Sequence, residues 1–167
     1  MTRVQFEERQ HFRQPWIWAL ILLVAGIGWW ALVQQVVLGQ PFGSNPGPDW
    51  LVWLLWLVVG LGLPALFLWA HLRLTVTDEA VIISYQPFTR RRIELLEILG
   101  ANAREYDALR EYGGWGIKGW SREKRAYNVS GSEGVELFLR DGRTVMLGSQ
   151  RADELAAAIM AAKDALP

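Results

Sequence analysis

Two apolar runs, Trp16 to Leu38 and Trp50 to Leu72, constrain this chain more than any other feature of its sequence. Each is 23 residues long, and a helix of that length at ~1.5 Å per residue covers about 34 Å. The hydrocarbon core of a bilayer is roughly 30 Å thick, so either run is long enough to cross one. From Trp16 to Leu72 only Asp49 is an acid, lysine or arginine, and eight of the 10 tryptophans fall in this stretch, several at the ends of the runs. Indole rings favour the lipid–water interface, whereas a buried soluble hairpin gives no reason to gather them there. The runs therefore predict transmembrane helices at 16–38 and 50–72, joined by a Pro/Gly-rich loop at 39–49. Pro64, with Gly60 and Gly62, predicts a kink in the second helix and a close approach to the first. Apart from the amides Gln34 and Gln35 the runs hold no polar pathway of the kind a transported substrate needs.

Formal net charge is zero, but the average conceals two unlike parts. Arg73 to Pro167 holds 14 of the 17 Lys/Arg and 14 of the 17 Asp/Glu residues. A polar part without net positive charge lacks the footprint that neutralises phosphates, which excludes nucleic acid as a bulk partner. Arg3, Arg9 and Arg13 precede the first run, Arg73, Arg90, Arg91 and Arg92 follow the second, and the loop between has neither Lys nor Arg. The positive-inside rule then places both termini, the segment 1–15 and the polar part 73–167, in the cytoplasm. The first run is long for a signal peptide and no small-x-small cleavage site follows it, so it is expected to be retained. In that orientation the sequon Asn128-Val129-Ser130 faces a compartment without N-glycosylation. No cysteine is present, which removes disulfides, thiolate nucleophiles and cysteine-ligated zinc. The two histidines, His11 and His71, flank the apolar runs with no second ligand at metal spacing, and read as interface residues rather than ligands. No metal and no cofactor is expected.

After Leu72 the hydrophobic period changes to two. Leu74 and Val76 alternate with polar neighbours, Asp78-Glu79 makes a turn, and Ala80 to Tyr85 resumes a β-rich run. Arg91 to Leu99 is open between strand and helix, and a strand is predicted at Ala101 to Tyr106. The strongest hairpin signal is Val135 to Arg140, Asp141-Gly142, Arg143 to Leu147, where Asp-Gly suits a two-residue type I′ turn. The chain closes with a predicted amphipathic helix: Ser149 as N-cap, Asp153 and Glu154 in the first turn, and Leu155, Ile159, Ala162 and Leu166 as its apolar stripe. The fold class this predicts is a two-helix transmembrane hairpin followed by an α+β domain, an antiparallel sheet or partial barrel with one C-terminal helix.

This order of elements, together with Glu111-Tyr112-Gly113-Gly114-Trp115-Gly116-Ile117, Ala126-Tyr127-Asn128-Val129-Ser130-Gly131 and Leu147-Gly148-Ser149-Gln150-Arg151, resembles bacterial two-span membrane proteins carrying a pleckstrin-homology-like domain. The resemblance covers nearly the whole chain. It implies a PH-like sheet plus helix and a bacterial cell membrane, but no activity and no catalytic residue. Ordinary PH domains often bind phosphoinositides through a basic loop near the first hairpin; no counterpart of that loop is present, so this activity is not carried over.

Arg110 to Gly131 is the most unusual stretch, with five glycines among Tyr112, Trp115, Trp120 and Tyr127 and the basic residues Lys118, Arg122, Lys124 and Arg125. Aromatic rings with Lys and Arg make a binding surface for a membrane-protein partner or an anionic headgroup, and Tyr112, Trp115, Lys118, Trp120, Arg122, Lys124, Arg125, Tyr127 and Asn128 are the candidate residues. The same residues could instead form a hairpin whose aromatics cover the sheet. Gly114, Gly116 and Gly119 spell G-x-G-x-x-G, but a β-like tract follows where a dinucleotide site needs a helix. With no histidine in the polar part there is no Ser/His/acid set. Acids such as Glu136 alternate with apolar strand residues and read as a solvated face. The sequence thus predicts a non-catalytic, membrane-anchored binding module. A membrane-bound hydrolase or transferase using carboxylates of the polar part is the competing class.

Overall fold

A computed structural model of the protein describes residues 3–119 and 124–166. Its contacts divide the chain into two units. Phe12–Trp69 forms one, and the residues before and after it together form the other.

The first unit holds two helices, α1 (Pro15–Val37) and α2 (Asp49–Trp69), both long and apolar enough to cross a membrane by length and composition. Pro15 starts α1, where its missing N–H costs nothing because the first turn has no acceptor for it. In α2 the residues Trp56–Gly62, just ahead of Pro64, wind in wide π-type turns. Proline has no N–H to give, and its ring crowds the carbonyl four residues earlier, that of Gly60, so the preceding turns open. A Cβ built on Gly28 would lie 3.6 Å from the Gly60 nitrogen, so the two backbones nearly touch where glycine faces glycine. The rings of Trp29 and Trp56 meet edge to face beside that crossing, centroids 5.2 Å apart. Gln35 ties down the loop by donating to the Gly47 carbonyl at 2.7 Å and to Asp49 Oδ1 at 2.9 Å.

The second unit begins before the helices. Val4–His11, within the N-terminal segment 1–15 for which the sequence predicts no strand, is a strand, β1. It pairs antiparallel with β2 (His71–Thr77), with Gln10 opposite Leu72 and Glu8 opposite Leu74. This pairing also ends the second helix at Trp69, short of the apolar run, because Leu72 is fully buried as a strand residue. β3 (Ala80–Gln86) and β4 (Thr89–Glu94) complete a four-stranded sheet in the order β1-β2-β3-β4. The Asp78-Glu79 turn forms as expected, with Thr77 Oγ1 accepting from Ala80 N at 3.0 Å. The stretch left open between strand and helix divides: β4 ends at Glu94, Leu95–Glu97 makes one 3-10 turn, and β5 (Ile98–Glu105) follows.

A short helix, α3 (Ala108–Tyr112), leads into β6 (Gly116–Lys118), β7 (Lys124–Asn128), β8 (Glu133–Leu139) and β9 (Thr144–Gly148). The second sheet has the order β5-β8-β9-β7-β6. Its β7–β9 pair is parallel, against the all-antiparallel expectation. The β8–β9 hairpin is where the sequence placed it, but its turn differs. Gly142 N donates to the Leu139 carbonyl at 3.0 Å and only Gly142 takes positive φ, at 82°. A type I′ turn would need positive φ at Asp141 too; the three-residue turn confines that demand to the glycine. Asp141 instead accepts from Arg143 N at 3.0 Å.

The closing helix, α4 (Ala152–Asp164), buries Leu155, Ile159 and Ala162 of the stripe read from its spacing, while Leu166, the fourth residue of that stripe, lies past the helix end and is half-buried. It packs on β5 and β8 of the second sheet and on β1 and β2 of the first. Ser149 does not cap it; Arg151 occupies that position without a side-chain cap. Ser149 Oγ donates instead to Glu8 Oε2 at 2.5 Å, while Gln150 N donates to Glu8 Oε1 at 3.0 Å. Glu8 is 8% exposed, and a carboxylate so enclosed persists only when its oxygens are met by donors. Such charge-assisted bonds contribute about 1.5–3 kcal/mol each. Gln10, two residues along β1 on the same face, donates to the Gly148 carbonyl at 2.8 Å. β1 is therefore fastened to both sheets.

Candidate functional site

The segment singled out by composition, Arg110 to Gly131, folds from the end of α3 through β6 and β7. Asp107 starts α3 by accepting from Leu109 N and Arg110 N at 3.0 and 3.1 Å, and Gly113 ends it in the left-handed region at φ 75°. The G-x-G-x-x-G spelling leads into β strands among the described residues, with no helix N-terminus to receive a pyrophosphate.

The candidate residues separate by burial. Tyr112, Tyr127 and Asn128 are interior, at 2%, 2% and 0% exposure. Tyr112 packs with Tyr106, Ala108, Ala126 and Met146, its ring edge to face with Tyr106 at 5.8 Å. Asn128 Oδ1 accepts from Gly116 N at 2.9 Å, joining β6 to β7. Gly148 is required beside it, because a Cβ there would fall 2.7 Å from the Asn128 Cβ and 2.9 Å from the Tyr106 hydroxyl. Trp115 is half-buried against this cluster and its Nε1 donates to the Gly131 carbonyl at 3.3 Å. Lys118, Lys124 and Arg125 are exposed, with Lys124 Nζ 4.9 Å from the centre of the Tyr112 ring. Trp120 and Arg122 lie outside the described residues. Tyr112, Tyr127 and Asn128 are thus interior, and Trp115 with three cations is left at the surface.

Behind these interior residues lies a set of charges that sequence reasoning missed. Arg104 on β5 donates through Nε to Glu136 Oε2 at 2.9 Å and through Nη2 to Glu111 Oε2 at 2.8 Å, and its Nη2 also lies 3.5 Å from the Tyr112 hydroxyl. Glu136 is accordingly no solvated-face acid; its side chain is only 16% exposed and ion-paired. Arg104 hydrogen-bonds to Glu111 and lowers its pKa from the ordinary 4.5, against a smaller desolvation effect. Burial, reinforced by Glu136, pushes the Tyr112 hydroxyl up to about 12. A signal for this set existed in the strand pairing: Asn102 lies opposite Glu136, which makes Arg104 its diagonal neighbour.

Two shallow grooves flank the segment. One, of about 460 Å³, is lined by Glu105, Tyr106, Asp107, Glu111, Trp115 and their neighbours; the other, of about 380 Å³, by Tyr112, Gly113, Ile117, Lys118 and Gly119. Of the acids in the first, Asp107 holds the start of α3 and Glu111 is bound by Arg104, so both serve the architecture. Among the described residues no group of three or more His, Asp or Glu could hold a metal ion.

Two long apolar helices with a two-sheet β unit closed by a C-terminal helix define the class of protein. Within that class, the chain belongs to a family of unknown function, DUF6141, whose model matches residues 1–166. A search of curated proteins returns no match.

Because the folded-state pKa of Glu111 is lowered, its ion pair stabilises the protein fully above pH 4.5, and that contribution is lost as pH falls through the lowered value. Glu111→Gln should lower the melting temperature of the purified full-length protein at neutral pH. It should also flatten the decline that wild type shows below about pH 4.5; a variant with the wild-type acid limb would remove Glu111 from the set.

Proposed function

We propose that the protein is a membrane-anchored, PH-like binding module of bacterial cell membranes, non-catalytic, with both termini cytoplasmic. The observation that supports the anchor best is exposure: only 22% of the apolar stretch in α1 and 11% of that in α2 is buried. Leu22, Leu23 and Leu68 are 60%, 63% and 67% exposed. The core helix of a soluble protein would be covered, whereas one that shows aliphatic side chains all round is matched to lipid. The β1–β2 pairing supports a hairpin topology, since two adjacent strands of one sheet must lie on the same side of a membrane. Arginine before α1 and after α2, and none between, favours the cytoplasm for that side. Two sheets shared by one C-terminal helix support the PH-like assignment, here with β1 supplied from ahead of the helices.

In this reading the module presents Trp115, Lys118, Lys124 and Arg125 to a protein partner. Glu105, Asp107 and Glu111 line the groove beside Trp115, so the surface mixes both signs of charge around an aromatic. An anionic headgroup would be repelled by those acids; an aromatic bordered by both charges suits a protein interface.

Two experiments test the proposal. The chain has no cysteine, so Ser44→Cys in the loop should be labelled by an impermeant maleimide on intact cells and Asp141→Cys only after permeabilisation. The reverse pattern would overturn the orientation. For binding, Lys118→Glu with Arg125→Glu, both at exposed positions, and separately Trp115→Ala, should abolish the adducts that the wild-type chain forms on crosslinking in cells. Unchanged adducts in correctly inserted variants would refute the surface.

A further inference from the structure

The outer face of the first sheet carries a charge arrangement that neither the helices nor the β6–β7 segment explains. In register, Arg9 on β1 lies opposite Arg73 on β2, Arg73 opposite Ser84 on β3, and Ser84 opposite Arg90 on β4. Three arginines that are far apart in sequence thus share one lateral row across four strands. Like charges directly opposite on neighbouring strands disfavour pairing, so the row is no aid to folding. Glu7, opposite Thr75 in the adjacent row, meets Arg73 at 2.8 Å. Arg92, in the next row, is held by Glu79 at 2.9 Å and Glu94 at 2.8 Å. Arg9 and Arg90 form no ion pair among the described residues; the Arg9 Nη2 lies 3.5 Å from His71 Nδ1.

Arg73, Ser84 and Arg90 of the row, with Thr75, Gln86 and Arg92, border a cleft of about 350 Å³, and Arg9 lies next to Arg73 at the end of the row. Guanidinium forks with two hydroxyls between them present many donors and few acceptors, which is the chemistry that binds phosphate oxygens. Along the chain β1 ends four residues before Pro15 of α1, and β2 starts two residues after Trp69 of α2, so only short connections separate the strands bearing Arg9 and Arg73 from the apolar helices.

We propose that this arginine row binds the phosphodiester headgroups of anionic phospholipids in the bilayer that the chain's own helices enter. The site rests on the helices crossing the membrane, and it is separate from the Trp115 surface. Charge selects the ligand: an anionic headgroup such as that of phosphatidylglycerol brings a phosphate with no ammonium, whereas a choline headgroup brings a cation against three guanidiniums. The anchor also favours lipid over a soluble phosphate, because tethering holds headgroups at high effective concentration.

The test uses the full chain in mild detergent, exchanged into an equimolar mixture of phosphatidylglycerol and phosphatidylcholine, with lipid retention read by native mass spectrometry. Wild type should retain phosphatidylglycerol selectively. Arg9→Gln with Arg90→Gln should weaken that retention by about 25-fold, roughly fivefold for each arginine near a lipid surface. Neither arginine is ion-paired among the described residues, so the melting temperature should stay that of wild type. Ser84→Glu, which removes no arginine but sets an acid in the middle of the row, should give the same loss. Undiminished phosphatidylglycerol retention in the folded double variant, or equal retention of the two lipids by wild type, would overturn the proposal. Displacement of the lipid by an equal concentration of glycerol phosphate would assign the row to a soluble phosphate and overturn it too. Release of the chain from membranes by alkaline carbonate would instead refute the spanning helices, so the two failures are distinguishable.

Discussion

β1 and β2 stand on either side of the helical hairpin in the chain and next to each other in the sheet, and most of the architecture depends on that pairing. It turns residues 12–69 into a closed excursion, entered from one strand and left through its neighbour. Glu8 makes the closure specific. Its carboxylate takes a hydroxyl from Ser149 and a backbone N–H from Gln150, at the point where the second sheet gives way to α4. Without β1 those donors would be stranded in the interior, β2 would become a bare edge, and Leu72 and Leu74 would lose cover on one flank. A fragment that starts after the second helix is thus an incomplete domain, although its sequence looks self-sufficient.

The same closure explains how charge is distributed. Polar residues that alternate along β1 and β2 cannot all face water, and the sheet sorts them. Glu8 and Gln10 turn inward to fasten elements together, while Glu7 and Arg9 turn outward next to Arg73. Across the second sheet, Arg104 does for the β6–β7 segment what Glu8 does for β1. It holds α3 against β8 through Glu111 and Glu136, and so sets the tyrosine floor on which Trp115 rests.

Much of this was legible in the sequence, and what was not shares a cause. Apolar runs, the Asp78-Glu79 turn, the β8–β9 hairpin and the stripe Leu155, Ile159 and Ala162 are local patterns, readable within a window of a few turns or one hairpin. β1 was not readable, because Val4 to His11 holds a single large apolar residue inside, Phe6; its other inward positions are Glu8 and Gln10, polar residues whose partners lie at the far end of the chain. The cap assigned to Ser149 failed because the helix starts later: Ser149 Oγ accepts from Arg151 N at 3.0 Å, ahead of Ala152, while its hydroxyl donates to the distant Glu8. In the candidate segment, composition does not give the direction each side chain takes. Tyr112 and Tyr127 are as aromatic as Trp115, and only burial in the folded chain separates the two enclosed tyrosines from the half-buried tryptophan. The parallel β7–β9 pair and the arginine row depend on strand order, which no single window contains.

The pairing of β1 with β2 is most directly measured by cysteine crosslinking in native membranes, for which the cysteine-free chain is suited. Glu7 and Thr75 are directly opposed, and a disulfide needs Cα atoms about 4.4–6.8 Å apart, as cross-strand partners are. Glu7→Cys with Thr75→Cys should form an intramolecular disulfide under mild oxidation. The bond is detectable when cleavage in the 39–48 loop leaves the two halves joined until reduction. Arg73→Cys with Ser84→Cys, across β2 and β3, controls for competence of the sheet. If the control pair closes while the 7–75 pair stays reduced, the N-terminal strand is not part of the sheet, and the closed excursion is wrong.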